Sequence, residues 1–146
     1  MNIIQATAKD SAAIASLFNA YRQFYKQAPD LEGAEQYIFE RLSKEESVIF
    51  FVRESDQLLG FTQLYPVFSS ISMKRAWVLN DLFVNETARK RGVGELLLQR
   101  VKAFAEETDA ASVSLSTAPD NVNAQRLYER NGYKQDETFL HYELSI

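Results

Sequence analysis

The most constraining feature of the sequence is a short basic loop with two glycines, set between a predicted strand and a predicted helix. The loop covers Arg89 to Gly94 and reads Arg-Lys-Arg-Gly-Val-Gly. An apolar stretch from Trp77 to Val84 precedes it, and an amphipathic stretch that begins at Glu95 follows it. The first N–H groups of a helix lack intrahelical partners and carry partial positive charge, and glycine lets the backbone approach a ligand closely. This arrangement therefore predicts a site for a phosphate-bearing ligand.

Composition excludes several kinds of chemistry. The chain has 146 residues and a formal net charge of −4, so we expect one domain and no nucleic-acid partner. It contains no cysteine and a single histidine, His141, which leaves no basis for a metal site, a cysteine nucleophile or a Ser-His-Asp triad. The N-terminus lacks a signal-peptide pattern, and no apolar run approaches the ~20 residues of a membrane span. We therefore expect a cytoplasmic protein with no membrane partner and no metal.

The order of the apolar patterns predicts an α/β fold, built as one domain over residues 1–146. Helices are predicted after the Thr7 capping box, after Asp30, after the two glycines and from Asn121 to Asn131. Pro66 to Lys74 is predicted as a surface loop. Strands are predicted at Asn2–Ala6, Ser47–Arg53, Leu58–Tyr65, Trp77–Val84, Ser112–Thr117 and Thr138–Leu144. The resulting order, β-α-α-β-β-β-α-β-α-β, indicates a mixed and mostly antiparallel central sheet with helices on both faces.

Two polar residues share one face of the helix that begins near Asn121. Asn121 and Tyr128 lie seven positions apart, which places them within about 20° of each other and about 10.5 Å apart along a helix axis. They can therefore line one groove. The alternative interpretation is that Asn121 caps the helix and Tyr128 is a core aromatic residue.

Together these motifs resemble the GNAT superfamily of acetyl-CoA-dependent N-acetyltransferases. The resemblance rests on the strand Leu79–Val84, the loop Arg89–Gly94, the helix with Asn121, Ala124 and Tyr128, and Asn131-Gly132-Tyr133 behind it. The element order agrees along essentially the whole chain. The strand Val78–Val84 is also similar to that of spermidine/spermine N-acetyltransferases, in which a Glu-Asp pair stands where this chain has Asn80 and Asp81.

The resemblance implies a binding site for acetyl-CoA as cosubstrate. Backbone groups of Leu82, Phe83 and Val84 would run beside the pantetheine arm, and a splay in the sheet would let a main-chain N–H polarise the thioester carbonyl. Main-chain N–H groups and side-chain charge would bind the diphosphate at Arg89, Lys90, Arg91, Gly92, Val93 and Gly94. Asn121 would hydrogen-bond the pantetheine, and Tyr128 would act as general acid beside the sulfur.

The identity of the general base is left open between two interpretations. Acyl transfer to an amine needs a neutral amine, and deprotonating an alkyl ammonium at pH 7 costs about 4–5 kcal/mol. Asp81 is the carboxylate nearest the implied site, and it is either the base or a buried acid tied to the backbone or to an arginine. Asn80 cannot take a proton, in contrast to the Glu of the spermidine/spermine enzymes.

The acceptor side is predicted from aromatic and acidic residues in the first two helices and the 66–74 loop. Tyr21, Tyr25 and Asp81 are the predicted acceptor-binding residues, and Asp30, Glu32, Tyr65 and Phe68 are further candidates. Such residues suit a small cation, although the same residues serve as core and solvated surface. The favoured function is acetyl transfer to the primary amine of a small molecule without an acyl-enzyme. The alternatives are acetylation of a protein or peptide amine, and a non-catalytic acyl-CoA-binding module; a homodimer is a further expectation.

Overall fold

The computed structural model describes every residue from Met1 to Ile146. The chain forms two compact units, Met1–Ser116 and Thr117–Ile146. None of its helices is long and apolar enough to cross a lipid bilayer. The strands are β1 (Asn2–Gln5), β2 (Val48–Glu54), β3 (Gln57–Ser69), β4 (Lys74–Val84) and β5 (Val113–Ser114). The helices are α1 (Ser11–Phe24), α2 (Leu31–Ser43), α3 (Val93–Glu107) and α4 (Val122–Arg130).

The first unit is built around one five-stranded mixed sheet in the order β1-β2-β3-β4-β5. Neighbouring strands from β1 to β4 are antiparallel because short turns join most of them. The pair β4–β5 is parallel, and it is short: Trp77 lies opposite Val113 and Val78 opposite Ser114. Beyond Val78, no strand pairs with that edge of β4.

Helices cover both faces of the sheet, as the alternation of apolar side chains requires. On one face, α1 and α2 bury Ile14 and Ile38 against Phe51 and Phe61. On the other face, the ring of Phe104 in α3 lies 5.4 Å from that of Phe50. The two faces of β2 therefore belong to two different apolar layers, which is why its residues from Ile49 to Val52 form a continuous buried run.

A β-bulge interrupts the pairing of β3 with β4 and determines where the site residues point. Gln63 pairs with Asp81, and the next residue, Leu64, pairs with Leu79. Asn80 is therefore the extra residue on β4, and it is exposed. Bulges bend a strand and redirect its side chains, and they occur often beside active sites.

The segment predicted as a surface loop at Pro66–Lys74 is largely strand, and that prediction was wrong. β3 continues to Ser69 and β4 starts at Lys74, so the connection is reduced to residues 70–73. Proline and serines suggested a loop, but the antiparallel register continues through Pro66 opposite Trp77. Cross-strand packing stabilises this extension, since the Arg75 guanidinium lies 5.5 Å from the ring of Phe68, its partner on β3. The same guanidinium lies 5.2 Å from the ring of Trp77 on its own strand.

In the second unit, α4 forms as predicted and the final strand does not. Gly132, with φ +95°, follows α4 at the predicted C-terminal position. Residues Thr138–Leu144, predicted as a strand, carry no strand pairing. The Asp136 carboxylate accepts hydrogen bonds from the N–H groups of Thr138 and Phe139, at 2.9 and 3.2 Å. This local turn competes with a sheet ladder for the same donors.

Candidate active site

The predicted phosphate loop connects β4 to α3 through a left-handed residue. Gly92 has φ +81° and is the N-cap of α3. The first intrahelical bond runs from the Leu96 N–H to the Gly92 carbonyl at 3.0 Å, so the amides of Val93 and Gly94 lie outside the helical ladder. A Cβ at Gly92 would meet no atom within 4 Å. The helix start therefore presents main-chain donors to open space, which suits an anion.

Two of the three basic side chains at this loop, Arg89 and Arg91, already hydrogen-bond other groups of the chain. Arg91 donates to both carboxylate oxygens of Glu54, at 2.8 and 2.9 Å, and this contact lowers the pKa of Glu54. Arg89 donates from Nε to the Val84 carbonyl at 3.2 Å and lies over the ring of Phe83 at 5.9 Å. Binding of a diphosphate here would depend mainly on the main-chain amides. The two arginines could contribute only by giving up their present contacts.

The end of β4 has one paired edge and one edge without a strand. Leu82, Phe83 and Val84 pair with Thr62, Phe61 and Gly60 of β3. On the opposite edge β5 ends at the level of Val78. Since strand main-chain groups point alternately to both sides, this edge offers hydrogen bonds to an extended ligand. The edge leads along the chain to the loop at Gly92.

Asp81 lies at the centre of a polar cluster inside the first unit. The residue is buried, with only 4% of its surface exposed. Gln63 Nε2 donates to Oδ2 at 2.8 Å and Asn80 Nδ2 donates to Oδ1 at 3.1 Å. Burial raises the pKa of Asp81, while hydrogen bonds from Gln63, Tyr21 and Asn80 act in the opposite direction. No arginine takes part in this cluster, so the carboxylate is held by neutral donors.

A pair of tyrosines links this cluster to α2. The hydroxyl oxygens of Tyr37 and Tyr65 are 2.7 Å apart, and the Arg41 guanidinium lies 4.7 Å from the Tyr37 ring. Burial, the contact with Tyr37 and the nearby charge of Asp81 all raise the pKa of Tyr65 far above its usual value. Tyr65 is therefore neutral at physiological pH, and the pair fixes α2 against β3.

The predicted acceptor residues separate into two groups. Tyr21, Tyr65 and Asp81 come together, and Tyr25, 55% exposed, meets Tyr21 at a ring distance of 5.1 Å. The other candidates have different contacts. Asp30 caps α2 by accepting from the Gly33 N–H at 2.9 Å, and Glu32 is exposed in the first turn of that helix. Phe68 lies near the β3–β4 turn.

Aromatic rings form a wall beside this cluster. The Tyr21 ring lies 5.8 Å from that of Phe61 and 6.0 Å from that of Phe83, with edge-to-face geometry in both cases. Phe24 adds a ring 6.4 Å from Phe83. Aromatic faces attract cations, and the Arg89 guanidinium already lies over the rings of Phe24 and Phe83, at 5.8 and 5.9 Å.

In the second unit, Asn121 and Tyr128 have local partners. Asn121 Oδ1 accepts from the Ala124 N–H at 3.3 Å, so the helix-cap interpretation of Asn121 is confirmed for that atom. The Tyr128 ring lies 5.9 Å from that of Tyr133. Burial, with Tyr128 nearby, raises the pKa of Tyr133 to about 12.

Sequence reasoning did not single out Gln63, which is fully buried and bonded to Asp81. The available signal was an amide inside the mostly apolar strand from Leu58 to Tyr65. Its importance depends on its cross-strand neighbour, which the bulge at Asn80 determines.

Comparison with known proteins places this fold in one family. The Acetyltransferase (GNAT) family pattern matches residues 14–133. The chain is 51% identical over 146 residues to an uncharacterized N-acetyltransferase, YhfO, of Bacillus subtilis (strain 168), covering 100% of this chain and 98% of that protein. It is 30% identical over 132 residues to the D-amino-acid N-acetyltransferase HPA3 of Saccharomyces cerevisiae, covering 88% and 82%.

A crystal structure of a probable acetyltransferase superposes with a TM-score of 0.96 at 44% identity, covering 100% of this chain and 98% of the other. These findings confirm the predicted α/β fold class and the predicted enzyme class. Acetyl-CoA is the acyl donor of this family. The chain belongs to the acetyltransferase (GNAT) family and is an N-acetyltransferase.

Proposed function

We propose that the chain moves the acetyl group of acetyl-CoA to the primary amine of a small molecule by direct transfer. The observation that carries this proposal is the buried Asp81 carboxylate beside an aromatic wall, on the same strand as the open edge at Leu82–Val84. A base and an acyl-donor surface thereby adjoin within one unit. The chain has no cysteine, so no thiol is available for an acyl-enzyme.

The residues present fit acetyl-CoA as cosubstrate. The open edge of β4 at Leu82, Phe83 and Val84 suits the amide-containing pantetheine arm, and the amides after Gly92 suit the diphosphate. When bound, acetyl-CoA supplies an activated thioester carbonyl. Lys90, which is exposed, adds positive charge to the loop. Arg89 and Arg91 add positive charge once their hydrogen bonds to Val84 and Glu54 are broken.

By resemblance to the family, Asn121 and Tyr128 of the second unit have proposed roles of their own. Asn121 uses Oδ1 for its helix cap, and its Nδ2 group is the proposed donor to pantetheine. Tyr128 is the proposed general acid, holding on its hydroxyl the proton that the leaving sulfur takes up. A positioned acid typically contributes ~10²–10⁴-fold in rate. The family match at 14–133 runs through both compact units, which supports one functional domain over residues 1–146.

The acceptor is proposed to be a small amine because the cluster offers one buried carboxylate and several aromatic rings. A protonated amine is attracted to the ring faces, and the Asp81 carboxylate accepts its proton. An ordinary aspartate is too weak a base for this step. Burial raises the pKa of Asp81 and so improves its match to an amine.

The test is an acceptor panel read by release of free thiol. It includes D-amino acids, because of the name of the yeast relative, together with polyamines, arylalkylamines and short peptides. Turnover of one or more small amines supports the proposal. Turnover of peptides alone would identify a peptide acetyltransferase instead, and acetyl-CoA binding without turnover would identify a non-catalytic acyl-CoA-binding module. A homodimer stays a prediction, to be measured by sedimentation.

Tyr128→Phe separates catalysis from binding. We expect kcat to fall at least tenfold while acetyl-CoA binds as before. Tyr133→Phe is the matched control, because it removes a hydroxyl from the ring that packs against Tyr128. Equal kcat values for Tyr128→Phe and the unmodified chain would remove Tyr128 from the acid role.

A further inference from the structure

We infer that Tyr21 is the residue that meets the acceptor amine and relays its proton to Asp81, and that Gln63 holds Asp81 in both of its protonation states. This inference rests on the proposed function and assigns the route by which the proton leaves the amine. It makes Tyr21 a catalytic residue and Gln63 a positioning residue.

The first observation is that the Asp81 carboxylate is enclosed. The residue is 4% exposed, and each of its oxygens is already bonded, Oδ2 to Gln63 and Oδ1 to Asn80. Tyr21 is a third donor to it, so an ammonium group in an open pocket reaches this buried carboxylate only by displacing one of the three. Direct abstraction of the proton by Asp81 therefore conflicts with its packing.

The second observation is that Tyr21 connects this carboxylate with the aromatic wall. Tyr21 is half-buried, its side chain hydrogen-bonds Asp81, and its hydroxyl lies 3.5 Å from the Asn80 carbonyl oxygen. Contacts with Phe61 and Phe83 fix its ring. Tyr21 thus contacts the base through its hydroxyl and, through its ring, the exposed ring of Tyr25 just after α1. It is the polar group through which an amine on that wall can reach Asp81.

The proton balance of the relay is simple. An N–H bond of the ammonium breaks as its proton passes to Tyr21 Oη, and the Tyr21 O–H proton passes to the Asp81 carboxylate. The amine becomes neutral, the phenol is regenerated and the carboxylate becomes a carboxylic acid. No charge stays on the phenol, because it gains one proton as it gives up another.

Gln63 is suited to a base that changes its protonation state. It is fully buried, its Nε2 donates to Asp81, and its Oε1 has no partner. A buried acceptor without a partner is costly. When Asp81 is protonated it becomes a donor, and rotation of the Gln63 amide brings Oε1 to accept from it. One side chain thereby keeps a hydrogen bond to Asp81 before and after proton transfer.

The other groups that face Asp81 do not provide this route. Asn80, beside it on β4, cannot accept the proton. Tyr65 on β3 feels the charge of Asp81, but its hydroxyl is bonded to Tyr37 of α2, beside Arg41. Tyr65 therefore belongs to the contact between α2 and β3, and its hydroxyl does not connect Asp81 with the aromatic wall.

The first experiment tests Tyr21 with a small amine that the chain acetylates. We expect Tyr21→Phe to lower kcat at least tenfold, with a small fall in melting temperature from the lost hydrogen bond and unchanged acetyl-CoA binding. The loss should shrink for an acceptor of lower amine pKa, because such an amine needs less help to lose its proton. Tyr37→Phe is the control and should stay within about twofold, since it removes a phenol that is bonded to Tyr65 and not to Asp81. An undiminished kcat in Tyr21→Phe, or a loss independent of amine pKa, would refute the relay.

The second experiment tests Gln63 by titration. Gln63→Met keeps the volume but removes the hydrogen bond in both protonation states of Asp81. The bond to the charged carboxylate is the stronger of the two, so the acid limb of the kcat/KM profile should move up by about one pH unit. The ¹³C shift of the Asp81 carboxyl, assigned with Asp81→Asn, should report the same displacement without turnover. An unmoved titration overturns the role of Gln63. If the unmodified chain acetylates no amine, the proposed function fails and the Tyr21 relay with it, while the carboxyl titration still decides the part assigned to Gln63.

Discussion

Gly60 provides the sharpest stability test, because a single methyl group there meets the backbone of β4. Gly60 pairs with Val84, and a Cβ on it would lie 2.8 Å from the Phe83 carbonyl oxygen, 3.0 Å from Val93 Cγ1 and 3.3 Å from Val84 Cα. Two of these three atoms are backbone and cannot rotate away. Gly60→Ala therefore requires β3 and the end of β4 to separate by a few tenths of an ångström.

The expected magnitude follows from two opposing effects. Overpacking costs about 1–3 kcal/mol. Replacing glycine by alanine also restricts the unfolded chain, which returns about 0.4–1 kcal/mol. The net loss in the free energy of unfolding should be about 1–2 kcal/mol, which lowers the melting temperature of a chain of this length by about 3–8 °C. Acetyl-CoA binding should weaken as well, since Phe83 belongs to the proposed binding edge.

The assay is urea and thermal unfolding of Gly60→Ala, with acetyl-CoA titrated by calorimetry. Gly92→Ala is the comparison, because its Cβ would meet no atom and its cost, about 1–2 kcal/mol, arises only from φ +81°. Asparagine tolerates that conformation, so Gly92→Asn should recover part of the loss, whereas Gly60→Asn should be worse than Gly60→Ala. A Gly60→Ala chain as stable as the unmodified one would refute the steric reasoning.

Three further predictions concern charge and capping. Burial raises the pKa of Asp81, so the folded chain binds this proton more tightly than the unfolded chain. The free energy of unfolding should therefore fall as pH rises from about 4 through the folded pKa. Urea unfolding of Asp81→Asn should lack that fall. Glu54→Ala should change the free energy of unfolding by less than ~1 kcal/mol, because the ion pair with Arg91 is exposed, yet calorimetry at two salt concentrations should show acetyl-CoA binding that is more salt-dependent once Arg91 is released. Asp30→Ala should cost about 1 kcal/mol in urea unfolding through loss of the cap on Gly33, and Asp30→Ser should restore most of it.

The elements that sequence predicted well are those determined by local periodicity. Helices α1, α2, α3 and α4 form where apolar spacing and caps indicated, and Asp30 caps α2 through the Gly33 N–H. The buried strands β2 and β4 also form, because their apolar runs are too short for helices and are bounded by polar turns. The loop at Gly92 has the left-handed conformation that only glycine adopts readily.

The features that sequence could not supply depend on pairing between distant segments. The bulge at Asn80 follows from the register of β3 against β4, and no local pattern encodes it. That register places Gln63 opposite Asp81 and so creates the polar cluster. The 66–74 segment became a hairpin for the same reason, because cross-strand contacts such as that of Arg75 with Phe68 outweighed its turn-like composition. At Thr138 the backbone N–H donates to the Asp136 carboxylate, and this turn forms in place of the strand that the alternation of apolar and polar residues predicted.

The short pairing of β5 has a consequence for the chain in the absence of ligand. A row of strand amides without a neighbouring strand is a template on which another polypeptide can add, and proteins usually protect such edges. Beyond Val78, the pantetheine arm would cover the unpaired main-chain groups of β4. Bound coenzyme would therefore reduce self-association of this enzyme, in addition to its part in the reaction. Starving the protein of coenzyme should therefore speed both deuterium uptake at residues 82–84 and precipitation on warming.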